Sequence, residues 1–192
     1  DRRARNALAR ADALRGLAGH RHSAQWQIAA AGVQDDLFAG LDAPEPSVTL
    51  AEPREAADIV ADYASTGLTL RRHPMALLRE RLRATGVLCA ADFNRQADGR
   101  NVHVAGIVTM RQRPGSAKGT TFVTLEDETG QVNLIIHARL LARYRVAVVS
   151  ARLLRVLGVM QRNGPVTHCV ARHIVDDTPL LGQLDVRSRD FH

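Results

Sequence analysis

Residues 102–137 read VHVAGIVTMRQRPGSAKGTTFVTLEDETGQVNLIIH. Three runs rich in β-branched residues are separated by two turn signals, and the first turn is basic. Val102, Val104, Val108 and Met110 share one parity of the first run. The second extends from Thr120 to Leu125, and Val132, Leu134 and Ile136 share one parity of the third. This period-two alternation predicts strands with one buried face. Gly106 interrupts the first run, where a missing side chain permits a bulge or a sharp bend. Asp127-Glu128-Thr129-Gly130 predicts a tight turn, with Gly130 free to take a positive φ.

Downstream, His137 to Val146 predicts a helix, with Leu140 and Leu141 set against Arg139, Arg143 and Arg145. Leu153 to Met160 predicts a fourth strand, Asn163-Gly164 a two-residue hairpin turn, and Val166 to Val175 a fifth strand. Three strands, a short helix and a two-strand hairpin is the order of an OB-fold, a small five-stranded barrel that commonly binds single strands.

Upstream the pattern turns helical. Arg2 to Arg15 predicts a helix with Ala7, Leu8, Ala11 and Leu14 on one stripe, and a second helix runs from about Arg21 to Ala31. Between them lies Gly16-Leu17-Ala18-Gly19. Two short helices joined by a Gly-x-x-Gly turn fit a helix-hairpin-helix, whose turn N–H groups contact a DNA phosphate, and fit equally a plain αα-hairpin closed by a glycine cap. Arg15 and Arg21 flank the turn where a phosphate clamp would need them. Trp26 reads as core. Pro44-Glu45-Pro46 marks a linker. Pro53 opens a helix to about Ala64, stopped by Gly67, and His73-Pro74 opens another to about Ala84, with Met75, Leu78 and Leu82 as its apolar stripe and Gly86 as its stop. The expected fold class is α+β: a helical N-terminal segment and helical linker, then a five-stranded OB-fold β-barrel. The expected divisions are 1–32, the end of a helix-hairpin-helix region; 33–52, a docking peptide and linker; 53–97, a helical buttress against the barrel; 98–176, the OB-fold; and 177–192, a tail.

The chain has 192 residues, is 45% hydrophobic and carries a net charge of +6. Two cysteines, Cys89 and Cys169, make no disulfide framework and suit a reduced, cytoplasmic setting. No apolar run approaches the ~18 residues of a membrane span, and no secretory signal is present, so no membrane partner is expected. The chain starts at Asp1 inside a helical pattern, which reads as part of a longer protein or a processed chain. Charge is uneven: +4 over residues 1–32, −3 over 33–97 and +5 over 98–192. Two basic ends suit two polyanion contacts, and they suit equally a solvated Arg-rich surface.

Two constellations carry binding chemistry. In Gln34-Asp35-Asp36-Leu37-Phe38, a polar anchor precedes two apolar side chains that fit a pocket on another protein. The loop Arg111 to Gly119 presents Arg111, Arg113 and Lys118 for backbone phosphates, a salt-dependent and sequence-independent attraction. Phe122 stacks a base if it faces outward and belongs to the core if it faces inward. Aromatic residues are 4% of the chain, so any single-strand binding should be electrostatic first. Glu126, Asp127 and Glu128 read as a solvated turn, while His168, Cys169 and His173 lack metal-ligand spacing. No catalytic or metal centre emerges.

The run AGIVTMRQRPGSAKGTTFVTLEDETGQVNLIIH resembles the OB-fold region of bacterial C-family DNA polymerases, the superfamily of the DNA polymerase III α subunit. RQRPxxAxGxxFxxLEDETGxVN and the terminal Ser188-Arg189-Asp190-Phe191-His192 are similar to its error-prone, ImuC-like members. TGLTLRRHPMALLR (66–79) and ARADALRGLAGHRHSAQW resemble the segments that precede the barrel in that family. The resemblance implies the C-terminal part of a translesion polymerase acting in damage-induced mutagenesis, with the active site upstream and Mg²⁺ expected only for the parent enzyme. It implies Gln34, Leu37 and Phe38 as a sliding-clamp peptide, and Arg15, Gly16, Gly19 and Arg21 as a contact to primer–template duplex. Arg111, Arg113, Lys118 and Phe122 are implied as contacts to single-stranded template. ImuB-like and ImuA-like mutagenesis proteins are implied partners. The alternative is a protein-interaction scaffold that touches no DNA; a tRNA-binding module is disfavoured by the scarcity of aromatic residues.

Overall fold

A computed structural model describes residues 1–30, 48–117 and 119–183. They divide into two compact units, Asp1–Arg71 and Arg72–His192. The helix expected over 53–64 falls in the first unit and the one opening at Pro74 in the second.

The first unit contains α1 (Arg2–Arg10), α2 (Arg15–Ala18), α3 (Arg21–Ala30) and α4 (Glu55–Ser65). Asp1 caps α1, accepting from the Arg3 N–H at 2.9 Å. The helix expected to reach Arg15 instead stops at Arg10, because Asp12 adopts φ 58°, a left-handed conformation that Asp tolerates better than most residues. The break changes the buried face: Ala9 packs with Ala24 and Ile28, while Leu8 of the expected stripe is exposed. Trp26, expected in the core, is 52% exposed. Pro53 precedes α4 by two residues rather than opening it, and Gly67 follows its end at φ 78°.

The second unit is built on a closed barrel in the order β1-β2-β3-β5-β4: β1 (Asn101–Gln112), β2 (Thr121–Asp127), β3 (Gly130–Ile136), β4 (Leu153–Asn163) and β5 (Val166–Asp176). All pairings are antiparallel except β3 with β5, which closes the barrel. β1 serves both sides. Its first half pairs with β4 from Asn101↔Val159 to Ile107↔Leu153, and its second half pairs with β2 from Ile107↔Glu126 to Gln112↔Phe122. Gly106 sits at the changeover. A Cβ there would lie 2.8 Å from the Glu126 carbonyl oxygen and 2.9 Å from the Leu125 Cβ, so a side chain would force the two strands apart. The register shift itself falls between Val108 and Met110, which turns Met110 out to solvent.

Val123, Leu125, Val132, Leu134, Ile136, Val156 and Met160 fill the barrel. The helix expected over 137–146 is two short ones, α7 (Ala138–Arg143) and α8 (Arg145–Ser150), meeting at Tyr144. Val148 and Ala151 enter the barrel core from this pair. α6 (Ala90–Asn94) adds Phe93, a fully buried side chain that periodicity did not reveal. α5 (Pro74–Ala84) packs Met75, Leu78 and Leu82 against Ala105 and Leu153. α9 (Thr178–Gln183) adds Leu180 and Leu181 to the same cluster. At the β4–β5 hairpin the loop is Gly164-Pro165, since Asn163 pairs with Val166. Gly164 takes φ 58° at the first central position, so the glycine leads the turn rather than following asparagine in it.

Candidate nucleic-acid interface

β1 and β2 place the basic loop. Arg111 and Gln112 end β1, a single turn at Gly115–Ala117 follows, and β2 starts at Thr121. The three cations of the loop differ. Arg111 is engaged: its Nε donates to the Val148 carbonyl at 2.7 Å and its Nη2 donates to the Ala151 carbonyl. These carbonyls belong to the end of α8, whose last acceptors have no partner within the helix. Burial holds the Arg111 pKa below the ordinary arginine value. Arg111 therefore ties α8 to the barrel through these two donors, although the residue remains exposed. Arg113 is exposed. Lys118 lies outside the described residues.

Phe122 alternates with inward-facing Thr121 and Val123, so it lies on the outer face of β2, half-buried beside Gln112 and Ile135. Between the loop and α7–α8 runs a cleft of about 240 Å³, lined by Arg111, Gln112, Arg113, Arg145, Leu141 and Val149 among others. Its cationic rim, Arg113 and Arg145, is exposed. Sequence reasoning placed Arg145 on a helix but did not bring it to the loop, because that contact depends on how α8 docks. On α7, Arg143 stacks over Tyr144 at 5.3 Å from the ring centroid, and Tyr144 meets His173 edge-on at 5.4 Å.

In the first unit the expected phosphate clamp is differently disposed. Gly16, Leu17 and Ala18 are a turn of helix rather than an open loop, closed by Gly19 at φ 82°. The N–H groups of Leu17, Ala18 and Gly19 donate to Leu14 and Arg15 carbonyls, so they are already spent. Arg15 is exposed, with Asp12 at 3.6 Å and Glu52 at 3.4 Å. Arg21 is only 4% exposed and pairs with Asp58 and Asp62. It is a structural ion, not a surface contact, because two carboxylates buried beside it demand a counter-charge. Arg71 joins Asp12, Asp58 and Asp62 at 2.8 Å each. Burial raises Asp58 above the usual carboxylate range, outweighing Arg71 and Arg21. For Asp62, burial pushes upward too, but hydrogen bonds from Thr69 and Arg21 and the nearby guanidiniums together hold it below that range.

A second polar hub corrects the reading of residues 126–128 as a solvated turn. Asp127 is buried, accepting from Thr129 N–H at 2.7 Å, from Ala90 N–H at 2.8 Å and from Arg79 at 2.8 Å. Arg79 also holds Glu128. The turn thus pins α5 and α6 to the β2–β3 corner. These carboxylates, like those around Arg71, are bonded to guanidiniums and do not fit a divalent cation. Among the described residues no group of three or more His, Cys, Asp or Glu side chains is arranged to hold a metal. Cys169 is sealed in the barrel, its thiol pushed up to about 12 by burial. Among the described residues no helix is long and apolar enough to cross a membrane. Gln34, Leu37 and Phe38 lie outside the described residues.

No family model matches the chain. It is 52% identical over 191 residues to an error-prone DNA polymerase of Azoarcus sp. (strain BH72), covering 100% of this chain and 18% of that protein. It is 51% identical over 191 residues to the error-prone DNA polymerase of Alkalilimnicola ehrlichii, covering 100% and 19%. With that of Pseudomonas fluorescens (strain Pf0-1) the identity is 50% over 193 residues, again covering 100% and 19%. The chain spans about a fifth of the length of the curated relatives it matches. Among solved structures, asparaginyl-tRNA synthetase from Pyrococcus horikoshii is similar at 17% identity, covering 47% of this chain and 22% of that one, with a TM-score of 0.41. A likeness at that level carries no argument.

Proposed function

The chain is related in sequence, from end to end, to one segment of the error-prone DNA polymerases, and from that premise we propose that it is a C-terminal DNA-holding and partner-docking part of such an enzyme. In this reading it steadies single-stranded template during translesion synthesis in the cytoplasm. Nucleotidyl transfer and its Mg²⁺ belong to the remaining length of the polymerase, and no step of that reaction runs through the residues described above. The observation that carries the reading is the cleft that Arg113 and Arg145 line together with Leu141 and Val149, on a barrel whose aromatic Phe122 faces outward. Two guanidiniums lining one cleft suit phosphates of one strand.

Fluorescence anisotropy of labelled oligo(dT) tests it. Arg113→Ala with Lys118→Ala should flatten the slope of log K against log salt by about 1.4, roughly 0.7 for each single-strand phosphate contact. An unchanged slope removes the loop from the interface. A second reading, docking of ImuB-like or ImuA-like proteins without DNA contact, is favoured by α8, where Val146 is 79% and Val149 is 62% exposed. Strand binding absent in the unmodified chain, with partner capture lost on Val146→Asp/Val149→Asp, would decide for it. Gln34, Leu37 and Phe38 are proposed as a sliding-clamp peptide. Leu37→Ala with Phe38→Ala should abolish clamp capture, since buried apolar anchors supply most of the energy of such contacts; undiminished capture excludes the peptide.

A further inference from the structure

We propose that the barrel carries a second phosphate-binding site, on the outer face of β1, β4 and β5, separate from the loop at Arg113. A cleft of about 440 Å³ opens there between Arg100 and Arg172, with Gln96, Asn101, His103 and Leu157 in its walls, and none of its lining residues is acidic. Several other arginines of the unit are already committed. Arg79 and Arg155 are paired with carboxylates, and Arg111 and Arg162 with backbone carbonyls. Among the described residues Arg172 donates to the amide oxygen of Asn101, at 3.4 Å, and neither Arg172 nor Arg100 makes an ion pair.

The strand geometry aims these groups. β5 pairs His173 with Leu157 and Ala171 with Gly158, so Arg172 is the extra residue of a bulge. Bulges redirect side chains, and here Arg172 and His173 are both exposed in sequence while Ala171 and Ile174 go to the core. Gly158 allows the bulge to close. A Cβ on it would lie 2.5 Å from the Cys169 sulfur and from the Val170 carbonyl oxygen. Arg100 immediately precedes β1, and its carbonyl accepts from the Met160 N–H at 2.8 Å, which fixes its backbone to β4.

Two guanidinium forks and the amide of Gln96, one of whose N–H groups donates to the Asp92 carbonyl at 3.1 Å, give hydrogen-bond donors with no carboxylate in the lining, the complement of a phosphate group. Burial holds the pKa of His103 below the ordinary value. Leu157, 46% exposed, offers an apolar surface beside the cations. The ligand is therefore a phosphate carried on an organic group: a phosphodiester of a nucleic-acid strand, or the phosphates of a free nucleotide or pyrophosphate.

Amide chemical shifts of the 192-residue chain, titrated separately with inorganic pyrophosphate and with oligo(dT), test this. Perturbation at Asn101, His103 and Gly158 is expected, with binding about tenfold weaker in Arg100→Ala/Arg172→Ala. Both arginines are exposed, so the remaining resonances of that variant should not move. Perturbation by both ligands assigns a strand phosphodiester, and perturbation by pyrophosphate alone assigns a free phosphate. No perturbation by either, or undiminished binding in the double variant, overturns the site. Arg113→Ala separates this from the loop reading: it should leave pyrophosphate shifts in the cleft intact whether or not the loop binds DNA.

Discussion

Two arginines two residues apart illustrate how a cation's use depends on where its backbone sends it. Arg111 pairs with Val123 near the end of the β1–β2 ladder, and its side chain crosses to the carbonyls of Val148 and Ala151. Arg113 lies past the strand; both residues are exposed, and it is Arg111 that is bonded to α8. Their substitutions should therefore separate stability from binding. Arg111→Ala leaves those α8 carbonyls without their donor and should lower unfolding free energy by about 1–3 kcal/mol. Arg113→Ala should stay within about 0.5 kcal/mol of the parent, as surface changes do. Urea denaturation of the two variants reads this directly, and equal midpoints would contradict the geometry. Nothing in the sequence distinguishes the pair, since both sit in one basic run; the distinction comes from α8, far along the chain. The same holds for Arg21, whose burial is set by Asp58 and Asp62 on α4.

Helix α5 shows an element whose start depends on a titratable cap. His73 Nδ1 accepts from the Met75 N–H at 3.2 Å, which requires that nitrogen to be unprotonated. Burial lowers the His73 pKa from 6.5, outweighing the attraction of Glu126, whose carboxylate is 3.7 Å from Nε2. A group with a lower pKa folded than unfolded binds fewer protons in the native state. Its contribution to stability is thus complete above about 6.5 and is lost as pH falls through the lower, folded value. His103, also lowered by burial, acts in the same direction. His73→Asn keeps a capping oxygen but does not titrate, so its urea midpoint should fall less between pH 7 and pH 5 than that of the parent. Parallel profiles would show that the imidazole is not what senses acid. Elements such as α5 and the five strands were legible because their apolar residues recur at 3.6 or 2 and their ends carry Pro or Gly. What was not legible was decided by distant contact: the break at Asp12, held by Arg71, the split of α7 from α8, and α6, a helix of five residues too short to show a period.

Across the whole molecule, charge counted in the sequence overstates charge offered to a ligand. The chain has 26 Lys and Arg against 20 Asp and Glu, and among these cations Arg21, Arg71, Arg79 and Arg155 are paired with carboxylates while Arg111 and Arg162 donate to carbonyls. The basic ends inferred from segment totals resolve into a few separate groups, of which Arg113 and Arg145 share one cleft and Arg100 and Arg172 another. With Phe122 the outward aromatic of β2 and few others available, stacking adds little sequence preference. Binding through Arg113, Arg145 and Lys118 would involve three phosphates, a slope near −2 in log K against log salt. Raising salt from about 50 to about 200 mM should then weaken oligo(dT) binding by roughly 20-fold, and oligo(dA) by a similar factor. If Arg100 and Arg172 engage the same strand, two further contacts would raise that loss to about 100-fold or more, so the measured slope counts the cationic sites in use. A salt-independent affinity would mean that the exposed guanidiniums serve a protein partner and not a polyanion.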